Sequence, residues 1–258
     1  MKKNQFTPLI SVVIPAYNEE EYIADCIKSV KKQKTNLSYE IIVVDNNSSD
    51  KTSSIAKKNG AKVVFEEKQG LSYARQAGLD AAKGKFLIYL DADTRIAQGW
   101  LVEVINYLNN NPEVSGISCS FYFYDGNIMT EIGRAINYYL VAPLINFILI
   151  SFNKPETIWG PSIITRTELL RKAGGINLDF VFYGEDTSIA YRLHSQGKVR
   201  FLKHFFVYTS ARRYKYNGGA KTLMVYTIAS ALIHMGMYEK AKAFSEKYSK
   251  KHMDIYKT

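Results

Sequence analysis

The chain has 258 residues, 47% of them hydrophobic and 22% charged, with a formal net charge of +10. That is enough apolar material for a full core in one domain or two small ones, and it excludes a disordered or repetitive fibrous chain. The positive excess favours anionic partners such as phosphates or an anionic membrane. A nucleic-acid binder would interleave basic and aromatic residues on one face, and only the tail resembles that, so no nucleic-acid partner is expected.

The N-terminus is basic, with Lys2 and Lys3, but Pro8 and a strand-like run follow where a signal peptide would have its apolar core. A cytoplasmic chain is expected. Ile10-Ser11-Val12-Val13-Ile14 predicts a buried strand stopped by Pro15, and residues 19–32 show helical spacing through Ile23, Ile27 and Val30. Residues 40–44 predict a second strand, closed by Asp45-Asn46-Asn47-Ser48-Ser49-Asp50, a loop able to cap a helix over 51–59. A strand over 61–65, a helix over 71–82 and a strand over 85–90 complete an alternating series. That series implies a mainly parallel α/β sheet with right-handed crossovers, whose ligands bind beyond the carboxyl ends of the strands. Cys26 and Cys119 are far apart, without metal spacing, and read as reduced core residues.

Asp91-Ala92-Asp93 follows the apolar run Phe86-Leu87-Ile88-Tyr89-Leu90. Side chains two apart on an extended chain point the same way, and paired carboxylates repel unless a cation joins them. Mg2+ or Mn2+ suits such oxygens and bridges to phosphates. An acidic turn ending a strand is the plainer reading.

The second half is less regular. Residues 100–109 read as a helix, 114–124 as an aromatic-rich strand, 158–165 as a strand, 168–173 and 187–194 as helices, and 199–208 as a last strand. Residues 136–152 are almost wholly apolar but hold Asn137, Pro143, Asn146 and Ser151, and fall short of the roughly 20 residues a spanning helix needs. They are expected to form a buried helix under an acceptor site. The alternative is a helix lying on an anionic membrane, aided by Tyr138, Tyr139 and the basic tail with Lys240, Lys242, Lys247, Lys250, Lys251 and Lys257. That tail is first read as a solvated face. Residues 221–248 predict a helix or helix pair broken near Gly236.

Five motifs occur in order: Pro15-Ala16-Tyr17-Asn18-Glu19, Val44-Asp45-Asn46-Asn47-Ser48-Ser49-Asp50, Arg75-Gln76-Ala77-Gly78, Leu90-Asp91-Ala92-Asp93 and Tyr183-Gly184-Glu185-Asp186. Together they resemble the inverting family 2 glycosyltransferases of GT-A fold, over residues 10–213. The resemblance implies a Rossmann-like catalytic domain over 1–215, with a nucleotide-binding half (1–95) and an acceptor half (96–215), and a basic helical segment over 216–258. It implies a nucleotide-diphosphate sugar donor, with uridine the expected base. The acceptor hydroxyl would be on a cell-surface glycan or a polyprenyl-linked precursor, and that setting would bring peripheral contact with the inner face of the cell membrane.

Within it, Pro15, Tyr17 and Glu19 would lie against base and ribose, Asp45 would meet the base, and Arg75 would approach the nucleotide. Asp91 and Asp93 would serve ribose and metal, Asp93 the closer ligand of Mg2+ or Mn2+. Asp186 would be the general base, with Glu185 orienting the acceptor. Trp159 and Gly160 match where the family lines the sugar pocket. The chain departs from the family after the last strand, where many members carry a His. Here Arg212 and Arg213 stand ready to grip the diphosphate, surface arginines being the plain alternative, while His204 reads as structural. A sugar-phosphate nucleotidyltransferase would need a Gly-rich, Arg-containing loop where this chain has residues 15–19. A non-catalytic nucleotide-sugar binder would leave Asp186 misplaced.

Overall fold

The computed structural model describes residues 7–217 and 219–255. Lys2, Lys3 and Lys257 lie outside the described residues, as do the side chains of Lys250 and Lys251. Strands β1 (Ile10–Ala16), β2 (Tyr39–Asp45), β3 (Lys62–Phe65) and β4 (Phe86–Leu90) alternate with helices α1 (Ile23–Lys31), α2 (Thr52–Lys58) and α3 (Leu71–Ala81). They form the parallel part of one sheet, ordered β3-β2-β1-β4. The sheet continues through β7 (Ser162–Arg166), β6 (Val114–Phe123), β8 (Lys198–Thr209) and β5 (Arg95–Ile96). β7 is antiparallel to both of its neighbours, β6 and β8 are parallel, and β5 is antiparallel to β8.

Strand alternation sorts the core into two layers. Val12, Ile14, Ile41 and Val43 face one way, with Ile27 and Val30 of α1 and with Leu101 and Leu108 of α4 (Trp100–Asn110). Val13, Ile42, Val44 and Tyr89 face the other way, with Leu79 of α3 and Ile189. This period of two is what buries both faces of a central parallel sheet. α3 approaches β1 so closely that a Cβ on Gly78 would stand 2.2 Å from Val13 Cγ1. Cys26 and Cys119 are free and buried, as the sequence led us to expect.

Some boundaries differ from expectation. The helix predicted from residue 19 begins at Ile23, because the Glu19 N–H donates to Thr52 Oγ1 at 2.7 Å and its carbonyl accepts from Tyr22 and Ile23 in a preceding turn. The strand predicted from 158 begins at Ser162, since Trp159 uses both its N–H and its carbonyl on the Ser118 hydroxyl. The break near Gly236 is present, between α10 (Gly219–His234) and α11 (Tyr238–Ile255). Gly236 sits there at φ 73°, a left-handed conformation common at helix ends.

The largest correction concerns residues 136–152. A continuous helix runs Ile128–Ser151. It comprises α5 (Ile128–Ile136), a π-helical turn (Asn137–Val141) and α6 (Ala142–Ser151). It is not a buried helix: only Ala142, Asn146 and Leu149 of this segment are buried, and Leu140, Leu144, Phe147 and Phe152 are exposed. Apolar composition predicted burial, but the partner layer that would cover this face is absent among the described residues.

Candidate functional site

The carboxyl ends of β1, β2 and β4 open on one edge of the sheet, where the loops after β1 and β2 are tied together. Asn18, at φ 53°, accepts from the Ser49 N–H at 2.9 Å and donates its own N–H to Ser48 Oγ at 3.1 Å. Asn is among the few residues that adopt this backbone readily. Between these loops lies a cleft of about 90 Å³. Pro15, Tyr17 and Glu19 form one wall, Asp91 and Asp93 the floor, and Arg212, Arg213 and Phe182 the far side. Asn46 and residues 69–71 close the remaining wall; sequence reasoning passed over these, although Gly70 at φ 147° is a conformation only glycine takes easily.

Arg212, from α9 (Arg212–Asn217), crosses the cleft mouth. Its guanidinium pairs with Glu19 Oε1, donates to Asp93 Oδ2 at 3.1 Å, and lies 4.3 Å from the Tyr22 ring centroid. Asp93 Oδ1 accepts from the Thr209 hydroxyl at 3.1 Å. Burial pushes Glu19 up to about 7 in spite of Arg212, and its Oε2 has no hydrogen-bond partner. Burial likewise raises Asp91 to about 6, with Arg75 opposing the shift.

Beneath the floor sits the feature that organises the site. Arg75 is 0% exposed. Its Nη1 is 2.6 Å from Asp186 Oδ1 and 3.4 Å from Glu185 Oε1, while Nη2 is 3.6 Å from Asp91 Oδ1 and 3.4 Å from the Gly160 carbonyl. Its own carbonyl accepts from the Tyr89 hydroxyl at 2.8 Å. One guanidinium thus joins the acid at the end of β4 to the two acids that open α8 (Glu185–His194). Gly184 precedes α8 at φ 92°, the turn the sequence suggested, and places Asp186 in the first turn, where the helix dipole favours a carboxylate. Glu185 is held well above the ordinary carboxylate range, by burial first and by Asp186 next.

The oxygen-rich floor fits a divalent ion. Mg2+ and Mn2+ are held by one or two carboxylates plus substrate phosphates and water. Asp91 and Asp93 would supply those carboxylates, with phosphate and water filling the other positions, since no group of three or more His, Cys, Asp or Glu is gathered for a metal among the described residues.

The model of "Glycosyl transferase family 2" matches residues 11–172. The chain belongs to that family. A Bacillus subtilis glycosyltransferase named for teichuronic acid biosynthesis, TuaG, is 28% identical over 232 residues, covering 80% of this chain and 89% of that protein. Glycosyltransferase AglE of Haloferax volcanii is 33% identical over 48% of this chain and 43% of its own length. Among solved structures, a mannosyltransferase from Pyrobaculum calidifontis in complex with GDP-Man and Mn2+ superposes with TM-score 0.67 at 19% identity, over 92% of this chain and 65% of that one. The Mycobacterium tuberculosis glucosyl-3-phosphoglycerate synthase, with Mn2+ and UDP, gives 0.63 at 22% over 89% and 80%. The fold is GT-A and the protein is a glycosyltransferase.

In this glycosyltransferase the residues singled out from sequence divide into two groups. Pro15, Tyr17, Glu19, Asp91, Asp93, Arg212 and Arg213 share the cleft. Asp186 and Gly160, half-buried, and Glu185 and Arg75, fully buried, form the cluster behind it. Asp45 stands at the end of β2 and accepts from the Ser48 N–H at 3.1 Å, with its neighbour Asn46 reaching the cleft wall. Trp159 lines a separate cavity against Phe121 and Phe201. Arg213 pairs with the Tyr226 hydroxyl, and Arg212 is locked between two acids; neither behaves as a plain surface arginine. His204 is exposed and stacks near Tyr107 and Phe205, away from the site.

Proposed function

We propose that the enzyme moves a sugar from a nucleotide-diphosphate sugar, with uridine as the base, to an acceptor hydroxyl with inversion at the anomeric carbon. The acceptor is a cell-envelope glycan or its lipid-linked precursor. The name of TuaG favours an envelope glycan, and the solved relatives that carry Mn2+ with GDP-Man or with UDP are in keeping with the donor class. The observation that supports the reading is the Arg75 cluster, in which one guanidinium joins Asp91, read here as the acid of the diphosphate, to Asp186, read here as the base for the acceptor.

In this scheme Tyr17 and Glu19 hold base and ribose, with Asp45 at the base edge. Asp93, with Asp91, would hold Mg2+ or Mn2+, which when bound neutralises charge on the diphosphate leaving group. The cleft of about 90 Å³ is smaller than the roughly 300–1,000 Å³ of small-molecule sites. Donor entry therefore displaces Arg212 from Asp93 and Glu19, freeing its fork for the diphosphate. Asp186 takes the acceptor proton as the hydroxyl attacks. A single base and no covalent intermediate suffice for inversion, as in inverting glycosidases.

The metal reading has a direct test. Asp91 is raised to about 6, so near that pH the free protein holds protons that a cation must expel. Calorimetry with Mn2+ in two buffers of different ionisation enthalpy is expected to show proton release at pH 6 and less at pH 8. Asp93→Asn is expected to weaken Mn2+ binding at least ~10-fold and to abolish donor hydrolysis, which a chelator also stops in the native protein. Full activity in Asp93→Asn or with excess chelator refutes the reading. A panel of nucleotide sugars in the same assay identifies the donor, and turnover onto an acceptor separates an enzyme from a non-catalytic binder.

The enzyme also works at the inner face of the membrane in this reading, held by the exposed apolar side of residues 128–151. We expect flotation with anionic vesicles at low salt and loss of binding as salt rises. Equal recovery with neutral and anionic vesicles, or none with either, counts against it.

A further inference from the structure

A second cavity, about 450 Å³, lies between the sheet and helix 128–151. Its floor is aromatic, with Phe121, Phe123, Trp159 and Phe201. Helix 128–151 lines its other side through Met129, Gly133, Tyr138 and Ala142. The volume is that of a ligand site, and most of the lining surface is apolar, with Asn127, Thr130, Arg134, Asn137 and Lys215 among its polar residues. The cavity adjoins the catalytic cluster: Trp159 is in its floor, and the next residue, Gly160, is so close to the base that a Cβ there would stand 2.9 Å from Asp186 Oδ2.

That helix is unusual. Helix 128–151 has the length and mean hydropathy (1.3) of a membrane span, yet only 17% of its most apolar window is buried. It is fastened to the protein along one side. The Tyr138 hydroxyl donates to the Lys203 carbonyl at 2.8 Å, and buried Asn146 accepts from both the N–H and the hydroxyl of Thr157 at 2.9 Å. Spanning a bilayer would strip these bonds, whereas lying on its surface keeps them and covers Ile128, Tyr139, Leu140, Leu144 and Phe147 with lipid. Cations flank the same face: Lys203, 5.7 Å from the Tyr138 ring, and Lys215, half exposed in the cavity lining and 3.7 Å from Asp125.

We propose that this cavity holds the hydrocarbon chain of a phosphate-linked lipid acceptor, which enters from a bilayer lying against helix 128–151 and presents its head to Asp186. The proposal rests on the reading of Asp186 as the base. It narrows the acceptor to a lipid, with the chain on the aromatic floor and a headgroup phosphate within the field of Lys215.

Gly133 provides the test. It lines the cavity, and a Cβ there meets nothing within 4 Å, so Gly133→Phe adds bulk at the cavity's edge with no clash at its first side-chain atom. Binding of farnesyl phosphate below its micelle concentration is followed by calorimetry and by the fluorescence of Trp159. Glycerol phosphate, which has the head without the chain, is the control. Farnesyl phosphate is expected to bind the native protein at least ~100-fold more tightly than glycerol phosphate, and at least ~10-fold more tightly than it binds Gly133→Phe, because buried chain carbons supply the affinity. Donor hydrolysis by Gly133→Phe is expected to equal that of the native protein. Equal binding of the two phosphates, or farnesyl binding untouched by Gly133→Phe, overturns the proposal. A native dimer in sedimentation that Gly133→Phe dissociates also overturns it, by giving the cavity to a second copy. Loss of donor hydrolysis in the native protein would instead strike the nucleotide-sugar reading and leave the lipid measurement standing.

Discussion

Arg75→Leu is expected to destabilise the protein by about 3–5 kcal/mol, the usual result of removing one partner from a buried ionic cluster. The loss is not that of a single contact. Arg75 is fully buried and faces Asp91, Glu185 and Asp186, so its removal leaves three acids around an apolar side chain. The sign of the pH dependence follows. With the cation gone, Asp91 and Glu185, which burial already raises, stand further above their unfolded values, so they bind protons more readily in the folded chain. Stability is then lost as pH rises through the raised folded values and is recovered as pH falls toward the unfolded values near 4. Urea unfolding of Arg75→Leu is therefore expected to show a larger deficit at pH 8 than at pH 5.5. A deficit under about 1 kcal/mol at both pH values would mean the acids need no cation, contrary to the cluster described here.

Arg75 also marks how far the sequence could be read. Its motif placed it near the nucleotide, yet the residue is sealed beneath the cleft, because the partners that draw it inward, Glu185 and Asp186, lie more than a hundred positions away. Local pattern was a sound guide where burial follows local period. β1 to β4 and the helices between them were legible to within a few residues, since alternating apolar strands and 3.6-period helices each carry their own signal. The ends of β1 and β4 that open on the cleft followed from that alternation. Legibility failed where structure depends on distant pairing. β5, two residues long, exists only through its pairing with β8, and α9 has no period to detect. The exposed helix 128–151 was misjudged because apolarity tells what avoids water and not what supplies the cover. Asn46 and Gln69 escaped notice because they act through loop position, with Asn46 tied to the Lys68 carbonyl and the Gly70 N–H.

Asp186→Asn is expected to reduce turnover by roughly 10²- to 10⁴-fold while leaving donor binding almost unchanged, because a general base contributes to the transition state and little to donor affinity. Two acids open α8, and the structure distinguishes them. Glu185 is 3% exposed, and burial and the neighbouring Asp186 hold its carboxyl well above the ordinary carboxylate range, so little of it is open to an acceptor. Asp186 keeps 16% of its side chain accessible, is paired with Arg75 at 2.6 Å, and has its Oδ2 beside Gly160. Glu185→Gln should accordingly cost far less in rate than Asp186→Asn. The measurement is steady-state kinetics with donor and acceptor varied separately, joined to NMR of the product's anomeric centre. The expected result is a loss in kcat with donor KM held within about threefold, and an inverted product from the native enzyme. A retained configuration, or turnover by Asp186→Asn close to native with Glu185→Gln inactive, would transfer the base to another residue and leave Arg75 with a purely structural role.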